Sequence, residues 1–171
     1  MALVKDYNRE PKVLLTTEQM GIVYNNLPGG KVDQDDYDNS ISIEGALLAT
    51  LARELEEELG LSREQFMEHV SGITKYFAFA TLTKFNKENP LSEVVFYSLL
   101  PDEVLEKLDF RGQIDTKILH YNWSPLKEIL DNFKIEDRNK LLPQGVYIFI
   151  DNHIPGILEK LSKKLSSEES D

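Results

Sequence analysis

Three carboxylates and a guanidinium, gathered in Arg53-Glu54-Leu55-Glu56-Glu57-Glu58, are the side chains of this chain best suited to chemistry. Glu54, Glu57 and Glu58 stand at i, i+3 and i+4, a spacing that puts them on one edge of a helix. At about 100° per residue, with Glu54 at zero, Glu57 lies near −60° and Glu58 near +40°. Leu48, Ala52, Leu55 and Leu59 fall about 100° to 160° round, on an apolar face. Like charges crowded in this way repel, and a surface helix gains nothing from them unless a cation sits among them. Oxygen donors on a shared helix edge suit a hard divalent ion. Arg53, at i−4 from Glu57, has the fork geometry to hold that carboxylate by paired hydrogen bonds. A Glu-rich edge taken alone is more often a solvated face that serves solubility.

The helix carrying these acids is predicted over about 44–59, with Leu47, Leu48, Leu51, Leu55 and Leu59 apolar and Gly60 as its C-terminal cap. Upstream, residues 12–17 and 21–24 read as short strands joined by a turn around Glu18 to Met20. The Pro28-Gly29-Gly30 turn follows, and then a polar loop, 31–43, carrying Asp33, Asp35, Asp36 and Asp38. A calcium loop counted from Asp36 and Asp38 would need Gly and Glu where Ile41 and Leu47 stand, so a solvated acidic loop is expected.

Downstream, Ser62 to Gln65 is a capping motif opening a short helix to about residue 70. Residues 73–84 and 92–100 are β-branched and aromatic, and the turn signals of 86–90 make them an antiparallel pair. A short helix is expected over 101–108, a strand over 116–123, and a helix opened by Ser124-Pro125 and running to about 132. The run 146–150 fits strand or buried helix. The spacing of Val146, Ile150, Ile154, Ile157 or Leu158, Leu161 and Leu165 favours helix, interrupted near Pro155. Strands flanked by helices predict a layered α/β domain with a mixed sheet.

The 171 residues, 41% hydrophobic and 29% charged, fit one water-soluble domain over 1–165, followed by a disordered acidic tail, 166–171. Residues 1–9 lack the apolar segment of a secretory signal, so a cytoplasmic location is expected. The absence of Cys excludes disulfides, thiolate metal sites and a cysteine nucleophile. A net charge of −11 disfavours binding to a nucleic-acid polymer. It leaves room for a small phosphorylated ligand, because a divalent cation can bridge carboxylates and phosphate oxygens.

The Leu27-Pro28-Gly29-Gly30 turn, Arg53 before the first Glu, and the Leu59-Gly60-Leu61 exit together resemble the signature box of the Nudix hydrolase family, G-x5-E-x7-R-E-U-x-E-E-x-G-U, where U is a bulky aliphatic residue. Every specified position of its second half is matched, by Arg53, Glu54, Leu55, Glu57, Glu58, Gly60 and Leu61. The order of elements, with Trp123 closing a late strand, is similar to the family over roughly residues 2 to 165. The first half departs from the pattern. Thirteen residues, 31–43, separate Gly30 from Glu44 where the family has five, and eight rather than seven separate Glu44 from Arg53. We read this as a loop insertion, with Glu44 either shifted into the place of the family's first Glu or that role lost.

The resemblance implies an α/β/α sandwich with a mixed central sheet. It implies metal-dependent hydrolysis of the pyrophosphate bond in a nucleoside diphosphate linked to another moiety, such as a nucleotide sugar, a dinucleoside polyphosphate or an NTP. Glu57 and Glu58 would then ligate Mg²⁺ or Mn²⁺, with the Gly29 main-chain carbonyl. Glu54 would ligate the ion or deprotonate the attacking water, and Arg53 would orient Glu57. The expected partner is a small nucleoside diphosphate derivative rather than a nucleic-acid polymer or a membrane, and homodimer formation stays open.

Some family members take a further acid from a loop after the box, for which Glu93, Asp102, Glu103 and Asp115 are available; each is expected to be a solvated surface acid. Tyr76, Phe77, Phe79, Phe96 and Tyr97 could stack a base, although aromatics in alternating strands are mostly core. His69, His120 and His153 lack metal-ligand spacing. Two other readings are a non-catalytic Nudix-like nucleotide-binding sensor, kept open by the altered Glu44 region, and an isopentenyl-diphosphate isomerase. The latter is disfavoured because its chemistry uses a Cys.

Overall fold

A computed structural model of the protein describes residues 1–19, 21–82, 91–111, 117–135, 147–149 and 153–168. In chain order the elements are β1 (Ala2–Lys5), β2 (Lys12–Gln19), β3 (Val23–Asn26), α1 (Gln34–Asp38), α2 (Ile43–Leu59), α3 (Arg63–Gln65), β4 (Thr74–Leu82) and β5 (Leu91–Leu99). They continue with α4 (Asp102–Leu105), β6 (Ile118–Pro125), α5 (Leu126–Asn132), β7 (Phe133–Ile135), β8 (Tyr147–Phe149) and α6 (His153–Glu168).

The main sheet has the order β3-β2-β1-β5-β4, and β6 runs along the other edge of β2. It is mixed, because β1 pairs parallel with β5 (Leu3 opposite Ser98) and antiparallel with β2. Successive side chains of a strand point to opposite faces, and the sequence loads both with apolar residues. Ala2, Val4, Val13, Leu15 and Tyr97 face Ile129 of α5 and Leu158 and Leu161 of α6. Leu3, Leu14 and Phe96 face Leu51, Leu55 and Leu59 of α2. Helices thus cover the sheet on both sides, giving the expected α/β/α sandwich. Each fully buried aliphatic side chain in it contributes about 1.5 to 3 kcal/mol.

The ends of α2 follow from local chemistry. The Ser42 hydroxyl accepts the Gly45 N–H at 3.0 Å, and Gly60 closes the helix in the left-handed conformation, φ 70°. Ser62 caps α3 in the same way, and the chain stays helical through Val70 and on to Ile73.

Several elements differ from the sequence expectation. Residues 2–5, given no structure from the sequence, form β1, a central strand buried on both faces; such strands carry no polar alternation to announce them. Glu18, assigned to a turn, belongs to β2. The polar stretch 31–43 contains α1, whose capping box joins Asp33 and Asp36 reciprocally. The helix expected over 146–150 is instead strand at Tyr147–Phe149, paired parallel with β7. A short apolar run satisfies either period, and β7 as a strand partner decides it. Pro155 does not interrupt α6, since it sits in the first turn, where backbone N–H groups have no helical acceptor. The helix also continues past Leu165 through Ser166, Ser167 and Glu168, where the tail was expected; 169–171 and the turn 86–90 lie outside the described residues. Among the described residues no helix is long and apolar enough to cross a membrane.

Candidate active site

The acid edge of α2 lies under the turn that follows β3. Glu58 is buried at 7% exposure, the Glu54 side chain is 13% exposed, and the Glu57 side chain is half-exposed at 46%. Two glycines permit this approach. Gly29 holds φ +148°, and its N–H donates to Glu58 Oε2 at 3.1 Å. A Cβ added to Gly30 would overlap the Glu54 carboxylate. Gly30→Ala is therefore expected to leave the fold intact, because a flexible carboxylate can move aside, and to lower activity by about tenfold or more through displacement of Glu54. Thermal unfolding measured beside kcat/KM checks this; an unchanged kcat/KM would remove Glu54 from the chemistry.

Arg53 forms the expected ion pair with Glu57, without the paired hydrogen bonds. Its Nη1 donates to Glu54 Oε1 at 2.7 Å, whereas Glu57 Oε1 stands at 3.7 Å, an ion-pair distance only. Its Nη2 donates to the Lys31 carbonyl at 2.8 Å and to Asp36 Oδ2 at 3.2 Å, with Asp33 Oδ2 at 3.3 Å. The expectation of a solvated acidic loop holds for the exposed Asp33, Asp35 and Asp38 but not for Asp36. It is 8% exposed, and its Oδ2 also accepts the Thr50 hydroxyl at 2.9 Å and the Asp33 N–H at 3.1 Å. Burial pushes the Asp36 carboxyl up, but the bonds from Asp33, Thr50 and Arg53 outweigh it and hold the group below its ordinary range. Arg53, although largely buried, is held firmly protonated by Asp36 and Glu54. Glu44 is exposed, and its side chain makes no hydrogen bond or ion pair with another described residue.

Glu18 is an acid that the sequence reading missed. Counting along β2, Leu14, Thr16 and Glu18 share the face turned towards α2. That alternation was the available signal. Glu18 is 8% exposed and accepts the Tyr24 hydroxyl at 2.6 Å and the Thr16 hydroxyl at 3.3 Å. Burial, with Glu18 and Glu54 adding negative potential, pushes the Glu58 carboxyl up to about 8, against the opposing Gly29 N–H and the amino group of Met1. Burial also raises Glu54, with Arg53 opposing.

Among the described residues no three or more His, Asp or Glu side chains are drawn together as a ready metal centre. The donors nevertheless fit a hard divalent cation: all are carboxylate oxygens, and Glu58 is a buried acid whose ionised form other carboxylates oppose. The other candidates fall elsewhere. Phe96 and Tyr97 are core; Tyr76 is exposed and meets Phe96 edge-on at 6.3 Å. Asp102 and Glu103 are exposed at the start of α4, His120 is exposed on β6, and His69 lies 3.7 Å from Glu68. Asp115 and the side chains of Phe77, Phe79, Glu93 and His153 lie outside the described residues.

Comparison with known proteins agrees with this geometry. Similar solved structures include the NUDIX domain of Shewanella oneidensis NrtR complexed with ADP ribose, at 17% identity and TM-score 0.57 over 96% of this chain and 84% of that one. A C. elegans Ap4A hydrolase in a binary complex is similar at 14% identity and TM-score 0.53, over 97% and 96%. A mutT/nudix family protein from Listeria innocua is similar at 21% identity and TM-score 0.54, over 98% and 90%. At these identities the likeness is one of fold. No curated protein matches the sequence significantly. The family model described as NUDIX domain matches residues 2–144, and with the glycine turn lying on the carboxylate helix of an α/β/α sandwich, the chain belongs to the NUDIX domain family.

Proposed function

We propose that the protein is a Nudix pyrophosphohydrolase that cleaves the pyrophosphate bond of a nucleoside diphosphate linked to another moiety, with Mg²⁺ or Mn²⁺ as cofactor. The observation that carries this reading is the glycine turn closed on the carboxylate helix: Glu58, buried at 7% exposure, accepts the Gly29 N–H at 3.1 Å with Glu18 and Glu54 nearby, and acids gathered out of water in this way favour binding of a cation. Bound there, a divalent cation would neutralise diphosphate oxygens and acidify a water, removing the two obstacles to attack on an anion. In this reading Glu57 and Glu58 hold the ion, with the Gly29 carbonyl as a further donor. Glu54, raised by burial, is a competent acceptor for the proton of the attacking water. Arg53 keeps Glu54 turned into the site through the 2.7 Å bond.

A non-catalytic nucleotide sensor is the second reading, favoured by the similarity to the NrtR NUDIX domain complexed with ADP ribose. The experiment is a screen of nucleotide sugars, dinucleoside polyphosphates and NTPs with Mg²⁺ or Mn²⁺, run beside Glu57→Gln. Cation-dependent turnover by the wild type, lost in the variant, is expected. Tight nucleotide binding by a wild type that turns over none of them would replace the enzyme with the sensor.

A further inference from the structure

Glu18 stands outside the signature box, on a sheet strand, yet it meets the acids of α2. It leaves β2 on the face that also carries Leu14, which packs against that helix. Its two oxygens are held separately: Oε2 accepts the Tyr24 hydroxyl at 2.6 Å, and Oε1 accepts the Thr16 hydroxyl at 3.3 Å. All three residues are buried, Thr16 at 0%, Tyr24 at 7% and Glu18 at 8% exposure. The Glu18 side chain therefore cannot swing out to water without breaking two buried hydrogen bonds.

Both bonds run towards Glu18. Two accepting oxygens are what an ionised carboxylate offers. Burial, the hydrogen bond to Glu18 and the charges of Glu18 and Glu58 hold the Tyr24 phenol above its ordinary range, so Tyr24 is the donor of the pair. β3, which carries Tyr24, runs on into the turn whose Gly29 N–H bonds Glu58. Two strands and one helix thus bring Glu18 and Glu58 together out of water. Two like charges placed so oppose folding while no cation is present. A cation at Glu58 reverses the sign, because in surroundings poor in water it is attracted by both charges even where it touches only one.

We propose that Glu18 is an electrostatic partner of the metal site, a fixed negative charge from β2 that strengthens cation binding at Glu57 and Glu58 without touching the ion. With both oxygens occupied by hydroxyls, it acts by its charge and not as a ligand. The assignment rests on the hydrolase reading for the place of the cation, and extends that reading beyond the turn and helix to the sheet.

The test compares wild type with Glu18→Gln and Glu18→Asp, following Mn²⁺ affinity by electron paramagnetic resonance and denaturant unfolding in EDTA, both at pH 8. Gln keeps the length and an acceptor for Tyr24 but lacks the charge. Asp keeps the charge but is too short for the 2.6 Å bond. Glu18→Gln is expected to weaken Mn²⁺ binding by about 10- to 100-fold, the usual cost of losing a group that supports a metal site from behind its ligands. Its metal-free form should be at least as stable as wild type. Glu18→Asp should be the less stable variant and yet bind Mn²⁺ within about threefold of wild type.

A purely structural Glu18 would give the reverse order, with Gln binding Mn²⁺ better than Asp. That order, or a Glu18→Gln affinity within about twofold of wild type, overturns the assignment and leaves the hydrolase reading intact. If Glu18→Gln does not fold, Glu18→Leu combined with Tyr24→Phe removes the charge and its donor together. A loss of Mn²⁺ affinity of about tenfold or more in that pair supports the role, and a smaller loss overturns it. A wild type with no measurable Mn²⁺ binding also overturns it. A wild type that binds Mn²⁺ but hydrolyses nothing in the substrate screen defeats the hydrolase reading alone, since Mn²⁺ affinity is read without substrate.

Discussion

Glu58→Gln is expected to lose activity and to gain stability at the same time. The lost carboxylate should lower kcat/KM with Mg²⁺ by about 10²- to 10³-fold, equivalent to roughly 3 to 4 kcal/mol of transition-state stabilisation. The fold should survive, because the Gln carbonyl oxygen can still accept the Gly29 N–H that bonds Glu58 at 3.1 Å. In metal-free protein at pH 8 the variant should be the more stable of the two. It no longer buries a charge at 7% exposure beside Glu18 and Glu54. Steady-state kinetics and denaturant unfolding in EDTA measure the two halves. A variant within tenfold of wild-type activity would take Glu58 out of the machinery. A variant less stable than wild type at pH 8 would mean that the buried carboxylate is better compensated than its neighbours indicate.

The wild type should in turn show a pH dependence that Mg²⁺ removes. The Glu58 carboxyl rises from an ordinary 4.5 to about 8 in the folded protein. Between those values the folded chain holds a proton that the unfolded chain has released, so stability falls as pH rises across that window. The loss, on the order of a few kcal/mol, is complete once the pH passes the folded value. Asp36 works in the opposite sense. Its carboxyl is held below the ordinary 3.8, so its contribution is present above that value and is lost only in more acidic solution, outside the window. Thermal unfolding in EDTA should give a midpoint that drops from pH 5 to pH 8, with Glu58→Gln much flatter over the same range. Added Mg²⁺ should restore the midpoint most at pH 8, where the ionised carboxylate is ready to bind. A midpoint in EDTA that is level from pH 5 to pH 8 would contradict the burial argument.

These expectations rest on features of different legibility. Glu54, Glu57 and Glu58 could be set on one edge of α2 from spacing alone, and Gly60 could be named as its end, because helix geometry links residues only a few positions apart. The same logic finds only part of what Arg53 touches: the ion pair with Glu57 is there at 3.7 Å, but the hydrogen bonds go elsewhere. Sequence distance suggested Glu57 at i+4, but the fold holds Nη2 at Asp36, so Nη1 meets Glu54. Tyr147–Phe149 was misread because a short apolar run satisfies both periods until β7 supplies a strand partner. Glu18 was half legible: alternation along β2 points it at α2, yet only the packed sheet brings it beside Glu58.

Local periodicity and backbone preference are enough to place the carboxylate helix, the glycine turn and the layered α/β class. Packing settles which acids stay solvated and which are buried. Glu57 remains half-exposed, Glu58 is buried beneath Gly29, and Asp36, from a stretch that looks merely acidic, becomes the anchor of Arg53. The reason is physical: the ionisation and orientation of a carboxylate depend on what excludes water from it and what donates to it. Here the donors come from Gly29, Asp33, Thr50 and Arg53, which meet the acids only when the insertion and the turn close on the helix.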